Sequence, residues 1–209
     1  YFSSHIYFLQ SKYNLSLEGF SKLSAIKGLS ELSSYYKAVI YYKQKRYNEL
    51  IDYGELKIRE QSIKKQTHIK SLIAQSYYNL EMYEKCVKAF LKDSSFMYSN
   101  QAMYKFGYSL YKIDSIDYAI KVFESINSSD DSLSQYVSYY LGNCYLKKDN
   151  KRYAVNSFSH AKNYNHDIFI KEDAYYKYIN LCFDLNWEFE NLYDDILSYQ
   201  EKFSDSENS

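Results

Sequence analysis

Four histidines, three cysteines and two pairs of adjacent carboxylates are the residues of this 209-residue chain whose types could carry chemistry. Their spacing gives them little to do together. His5, His68, His160 and His166 form no HExxH arrangement, which would place two imidazoles on one helical face around a zinc ion. Cys86, Cys144 and Cys182 have neither the CxxC spacing of a metal site nor the even count of a disulfide framework, and read as small buried residues. Asp130-Asp131 and Asp194-Asp195 are paired in sequence only, because adjacent helical residues do not face each other, and read as surface charge. The five glycines make no GxGxxG or GxxxxGK[ST] loop to cradle phosphate, and no nucleophile stands in a recognisable turn. The expectation is a protein that is not an enzyme, with no catalytic, cofactor-binding or metal site.

Charge excludes further classes. Lys plus Arg (26) equals Asp plus Glu (26), so no global field draws in nucleic acid or an anionic membrane surface. The balance is uneven along the chain: residues 43–70 carry eight basic and four acidic side chains, and residues 184–209 carry one basic and eight acidic. No apolar run is long enough to insert directly into a membrane. The 28 tyrosines and the absence of proline set the texture of the chain. Tyr has a large apolar body with a polar tip, and tolerates half-buried positions between packed helices.

Self-similarity decides the architecture. Ser4, Ala38, Ala74, Gly107, Gly142 and Asn180 align as small residues at steps of 34, 36, 33, 35 and 38. Three residues after each comes Tyr7, Tyr41, Tyr77, Leu110, Tyr145 or Phe183. Aromatics are 20% of the chain, so five in six is well beyond chance. Twelve residues after each comes Ser16, Leu50, Cys86, Ala119, Ala154 or Leu192, and four further on Phe20, Gly54, Phe90, Phe123, Phe158 or Ile196. Small and aromatic residues one turn apart suit two antiparallel helices at their crossing: the small side chain admits the neighbouring backbone and the ring fills the space beside it. Short polar turns such as Lys43-Gln44-Lys45-Arg46 leave room only for a tight hairpin.

The segments Tyr104-Lys105-Phe106-Gly107-Tyr108-Ser109-Leu110-Tyr111 and Tyr118-Ala119-Ile120-Lys121-Val122-Phe123, and their counterparts around Gly142 and Phe158, resemble the tetratricopeptide repeat (TPR) family over nearly the whole chain. The family's usual proline after the second helix is missing, and Gly54 stands where an aromatic is expected. The resemblance implies an all-α fold, an α-solenoid of about six antiparallel hairpins wound as a right-handed superhelix. One such solenoid is expected over 1–203, with helix pairs near 1–26, 32–59, 67–93, 100–126, 132–163 and 171–203, and a flexible tail or linker at 204–209. Ser128 to Ser132 should close with an N-cap before the helix that carries Gly142. The first residue is Tyr1 and neither end shows a polar capping helix, which suits a piece of a longer array.

In TPR proteins the first helix of each hairpin lines a concave face that holds a peptide or another protein. Here that face would present Tyr35, Tyr42, Tyr78, Tyr104, Tyr108, Tyr111 and Tyr139 with Asn143, beside Lys43, Lys112 and Lys147. Flat rings, hydroxyl donors and positive charge make a groove for an extended peptide, although a glycan could stack on the same rings. Packing between hairpins, combined with a Tyr-rich composition, accounts for such a row equally well. The expected partner is a protein or peptide and not nucleic acid. The alternative is a scaffold within a larger assembly, using the convex face or the oppositely charged ends, with self-association open. The Tyr-rich texture and the stretch from Asp131 to Lys147 resemble long multi-repeat TPR proteins of Gram-negative bacteria, which favours a periplasmic or cell-envelope location.

Overall fold

The computed structural model describes residues 1–26, 28–60, 66–93, 99–186 and 192–204. Among them are twelve α-helices and no strand: α1 (Phe2–Leu9), α2 (Tyr13–Leu23), α3 (Ser30–Lys43), α4 (Tyr47–Glu60), α5 (Gln66–Asn79), α6 (Tyr83–Lys92), α7 (Asn100–Lys112), α8 (Ile116–Glu124), α9 (Asp131–Lys147), α10 (Lys151–Lys162), α11 (Ile168–Asp184) and α12 (Leu192–Lys202). They divide into two compact units, Tyr1–Ala102 and Met103–Ser209, with the boundary inside α7. In the first unit each of α1 to α5 packs on the helix that follows it; in the second, α8 to α11 do the same. Of the expected tail 204–209, all but Ser204 lies outside the described residues.

One turn is repeated in every hairpin. Ser11, Lys45, Glu81, Asp114, Asp149 and Asn186 all adopt positive φ, between 46° and 62°. In the first five, this residue's amide bonds the carbonyl three residues back, and the next amide bonds the carbonyl five back; for Lys45 and Arg46 the acceptors are Tyr42 at 3.0 Å and Tyr41 at 2.9 Å. This paired closure uses up the carbonyls that a helix end otherwise leaves open. The turn residue follows Ser4, Ala38, Ala74, Gly107 and Gly142 by seven positions each time, and the second helix begins at Tyr13, Tyr47, Tyr83, Ile116 or Lys151, nine positions after them.

The turn also corrects the last hairpin. Seven residues before Asn186 is Ile179, not Asn180. Ile179 is buried and Asn180 is exposed, as the shift requires. A sequence alignment keyed to small residues misses this because a branched aliphatic occupies the crossing here. The step from Gly142 is therefore 37 residues, and the positions matching Tyr139 and Leu146 are Tyr176 and Phe183 rather than Lys177 and Asp184.

Packing explains the sequence columns. Phe20, Phe90, Phe123 and Phe158 are at most 1% exposed. A Cβ on Gly107 would lie 2.8 Å from the ring of Phe123, and one on Gly142 the same distance from Phe158. Hydrogen there is what lets each ring lie flat on the facing helix. Gly54 reverses the arrangement: the Cδ1 of Ile73 and the Cγ2 of Ile69, both on α5, occupy the space over its Cα. At the first crossing the buried hydroxyl of Ser16 donates to the carbonyl of Ser4 at 2.8 Å.

Helix starts are fixed by capping where the sequence provides a carboxylate. Asp130 accepts from the amides of Ser132 and Leu133, so the cap that opens α9 is Asp130. Asp167 does the same for α11 with Phe169 and Ile170. Burial works to raise the Asp167 carboxyl, but the amides of Ile170 and Phe169, the Tyr136 hydroxyl and His166 outweigh it and hold the group below its ordinary value.

Candidate functional site

The residues that could have carried chemistry are all accounted for by packing or exposure. Cys86, Cys144 and Cys182 are buried free thiols, and burial pushes Cys144 up to about 12 and raises Cys182 as well. His5 stacks on Tyr1 and meets Tyr36 edge-on, His68 lies against Tyr35, His166 against Tyr136, and His160 is exposed. No three His, Cys, Asp or Glu side chains among the described residues come together to hold a metal ion. None of the described helices is long and apolar enough to cross a membrane.

The remaining candidates are the tyrosines on the first helix of each hairpin, and each unit has its own set. In the first unit, Tyr42 on α3 reaches α5: its hydroxyl donates to Gln75 at 3.4 Å and accepts from the Asn79 amide at 3.1 Å. Tyr35 packs on Tyr36 and His68 with centroids at 5.4 and 5.6 Å. Tyr78 meets Tyr83 edge-on within its own hairpin. All three rings are half-buried, whereas Lys43 extends into solvent with no ion-pair partner among the described residues.

The second unit gathers more of the expected residues. Tyr140 on α9 is the hub, with its ring 4.8 Å from Tyr108, 5.5 Å from Tyr111, 6.3 Å from Tyr104 and 5.1 Å from Tyr139. Such offset and edge-on contacts match positive ring edges to negative faces. Lys112 lies over Tyr108 at 5.9 Å and Lys147 over Tyr111 at 5.1 Å. Tyr139 donates to Asp173 at 2.6 Å; burial first, then that carboxylate, raises its hydroxyl well above the usual phenol value and keeps it protonated as a donor. Lys177 closes the group: it contacts Asp173 at 2.6 Å, Asn143 at 2.9 Å and Tyr139 at 3.3 Å, and lies over the Tyr139 ring.

Sequence reasoning missed Tyr36, Tyr136, Tyr140 and Asp173, whereas Lys177 was aligned with Tyr139 one position out of register. Each sits on the side of its helix that meets the preceding hairpin, and the period identifies that side only once the crossing is known. Of the lysines expected beside the rings, Lys147 is neutralised within the chain by Asp114 at 2.7 Å, as is the neighbouring Lys177 by Asp173. The geometry supplies flat aromatic faces edged by hydroxyl and amide donors. A nucleophile, a base to activate it and an oxyanion cradle are not brought together anywhere in these clusters.

Paired helices with a constant turn, a small residue at five crossings and a phenylalanine against four of them define an all-α helical repeat solenoid of the tetratricopeptide type, and comparison with solved structures bears this out. No protein-family model matches the sequence, and no curated protein does. The chain is similar in structure to YrrB, described as a TPR protein with an unusual peptide-binding site, with a TM-score of 0.67 at 16% identity over 82% of this chain and 87% of that one. It is similar to MamA of Desulfovibrio magneticus RS-1, with a TM-score of 0.59, 14% identity and coverage of 81% and 97%. The C-terminal part of a TPR repeat-containing protein from Cytophaga hutchinsonii matches 96% of this chain and 84% of its own length, with a TM-score of 0.59 and 17% identity. At these identities the likeness is one of fold.

Proposed function

We propose that the chain is a non-catalytic protein-interaction module, a single array over 1–203 that binds an extended peptide along the first-helix tyrosines. The observation that carries this reading is the corrected register: Phe8, Tyr42, Tyr78, Tyr111, Leu146 and Phe183 occupy one equivalent position in six hairpins, and Tyr1, Tyr35, Tyr104, Tyr139 and Tyr176 another. Half-buried rings repeated at one helical position offer a peptide a series of flat surfaces at little entropic cost, since a Tyr ring has two torsions to fix. Likeness to YrrB supports a peptide as the ligand class. The contacting residues are Tyr35, Tyr42, Lys43 and Tyr78 in the first unit, and Tyr104, Tyr108, Tyr111, Lys112, Tyr139, Asn143 and Lys147 in the second.

A second reading, scaffolding within a larger assembly, is favoured by exposed apolar side chains: Phe2, Ile6 and Leu9 on α1, and Phe169 and Phe183 on α11. Partner capture separates the two. Replacing Tyr42, Tyr78 and Tyr111 together with Ala should abolish recovery of a peptide ligand selected from a display library, with helical circular dichroism retained. Reversing the exposed Lys43 to Glu should weaken it without touching the packed rings. Undiminished capture by both folded variants would assign binding to another face.

A further inference from the structure

The side of α5 away from Tyr42 borders a second surface. Lys70, Ile73 and Tyr77 lie on that side, at i, i+3 and i+7, and together with α4 and α6 they enclose a cleft of about 390 Å³. Its floor is apolar, made by Ile58, Ile73, Tyr77 and Ala89, and its rim carries Lys85, Lys88 and Lys92 from one face of α6. In the hairpin that supplies α4, Gly54 stands where four other hairpins have a phenylalanine, and Ile73, part of the cleft floor, packs over it.

The charges in this cleft do not cancel. The two acidic residues lining it are both engaged inside the chain: Glu55 accepts the Tyr77 hydroxyl at 3.2 Å, and Asp93 is paired with Lys70 at 3.1 Å. Lys85, Lys88 and Lys92 are exposed, and no carboxylate among the described residues pairs with them. Lys85 lies over the Tyr77 ring at 5.7 Å; three like charges on one helix face still repel one another, and an anion from outside relieves that. The apolar floor selects among anions. A phosphate backbone would leave Ile58, Ile73 and Ala89 uncovered, whereas a peptide can seat an apolar side chain on them and place carboxylates beside the lysines.

We infer that the cleft between α4, α5 and α6 is a docking site for an acidic peptide segment anchored by one bulky apolar side chain. It is separate from the tyrosine rows and does not depend on them. The probe is a fluorescein-labelled synthetic peptide in which a Leu-Phe pair is flanked on both sides by runs of Glu, titrated with the full chain by fluorescence anisotropy. The expected result is saturable binding that weakens with added salt and falls at least about tenfold in Lys85→Glu/Lys88→Glu/Lys92→Glu, the rim charges being solvent-screened. Ala89→Trp, which fills the floor and leaves the charge alone, should also weaken binding. The Tyr42→Ala/Tyr78→Ala/Tyr111→Ala variant should bind as the parent does, which keeps this test apart from that of the tyrosine rows. Should the triple lysine variant lose its helical signal, Lys88→Glu alone decides, with a drop of about threefold expected. The inference is overturned by an absence of saturable binding, by unchanged affinity in the folded lysine and Ala89→Trp variants, or by a single-stranded oligonucleotide that binds as tightly as the peptide.

Discussion

Replacing Glu81 with glycine should make this protein more stable, although the side chain touches nothing. Glu81 has a φ of 58° in the turn between α5 and α6. Its amide bonds the carbonyl of Tyr78 and the next amide that of Tyr77, so the left-handed conformation is imposed by the turn and not chosen by the residue. That conformation costs an L-residue about 1–2 kcal/mol through the approach of Cβ to the following carbonyl. Glycine escapes this, but returns roughly 0.5–1 kcal/mol through the larger freedom of the unfolded chain. The net gain for Glu81→Gly is therefore about 0.5–1 kcal/mol, or a rise in Tm of about 2–4 °C per kcal/mol for a chain of this size. Lys45→Gly, at a φ of 59°, should gain similarly, and the two should add because they lie in separate turns. Asp149→Gly is the internal control: Asp tolerates the left-handed region through local hydrogen bonding, so its gain should be smaller. Urea titration followed by circular dichroism measures the parent, the three single variants and the Lys45→Gly/Glu81→Gly double variant. A neutral or destabilising Glu81→Gly, or an equal gain at Asp149, would refute the account of the turn.

Gly142→Leu and Gly107→Leu should each cost about 1–3 kcal/mol in the same titration, since the added atoms run into the rings of Phe158 and Phe123. The Lys162–Asp195 pair should leave a signature in acid. Burial works to raise Asp195, but hydrogen bonds from Lys162 and Tyr175, with further help from Tyr178, hold it below its ordinary value. The folded protein thus binds that proton more weakly than the unfolded chain does. Its contribution is fully present above about pH 4 and lost as pH falls through the lowered value. The stability gap between the parent and Asp195→Asn should accordingly narrow from pH 6 towards pH 2.5, as read from urea midpoints. The thiols of Cys86, Cys144 and Cys182 should react with a maleimide at neutral pH only as fast as the chain opens, and at once in denaturant.

The period, the hairpin and the crossing residues were legible in the sequence because one physical demand, close helix approach, selects small residues at a fixed distance from a phenylalanine. The last hairpin was misread by one position because Ile179 occupies the crossing, and no small residue marks it. The six turns would have served better as a guide, yet their residues share a backbone angle and no side-chain type, so nothing in Ser11, Lys45 and Glu81 announces them. The candidate surface was only half visible. The pattern located Tyr104, Tyr108, Tyr111 and Tyr139, but the side chains that hold them, Tyr140, Asp173 and Lys177, come from the following hairpin. Reading those required the register between hairpins, which composition does not encode. Gly54 was noticed as a departure, but the side chains that fill the space over it, Ile69 and Ile73, belong to the next hairpin and were not legible from its own helix pair.

The constant distance from crossing to second helix, set against a step between hairpins that ranges from 33 to 37 residues, says where this chain tolerates insertions and deletions. An extra residue between Gln44 and Lys45 would rotate α4 by about 100° and swing Leu50 out of the core. The same residue added after Asn127, between α8 and α9, would only lengthen a connection whose counterparts already differ in length. Epitope tags, fluorophore sites or grafted loops therefore belong between hairpins, where the chain's own connections already vary in length.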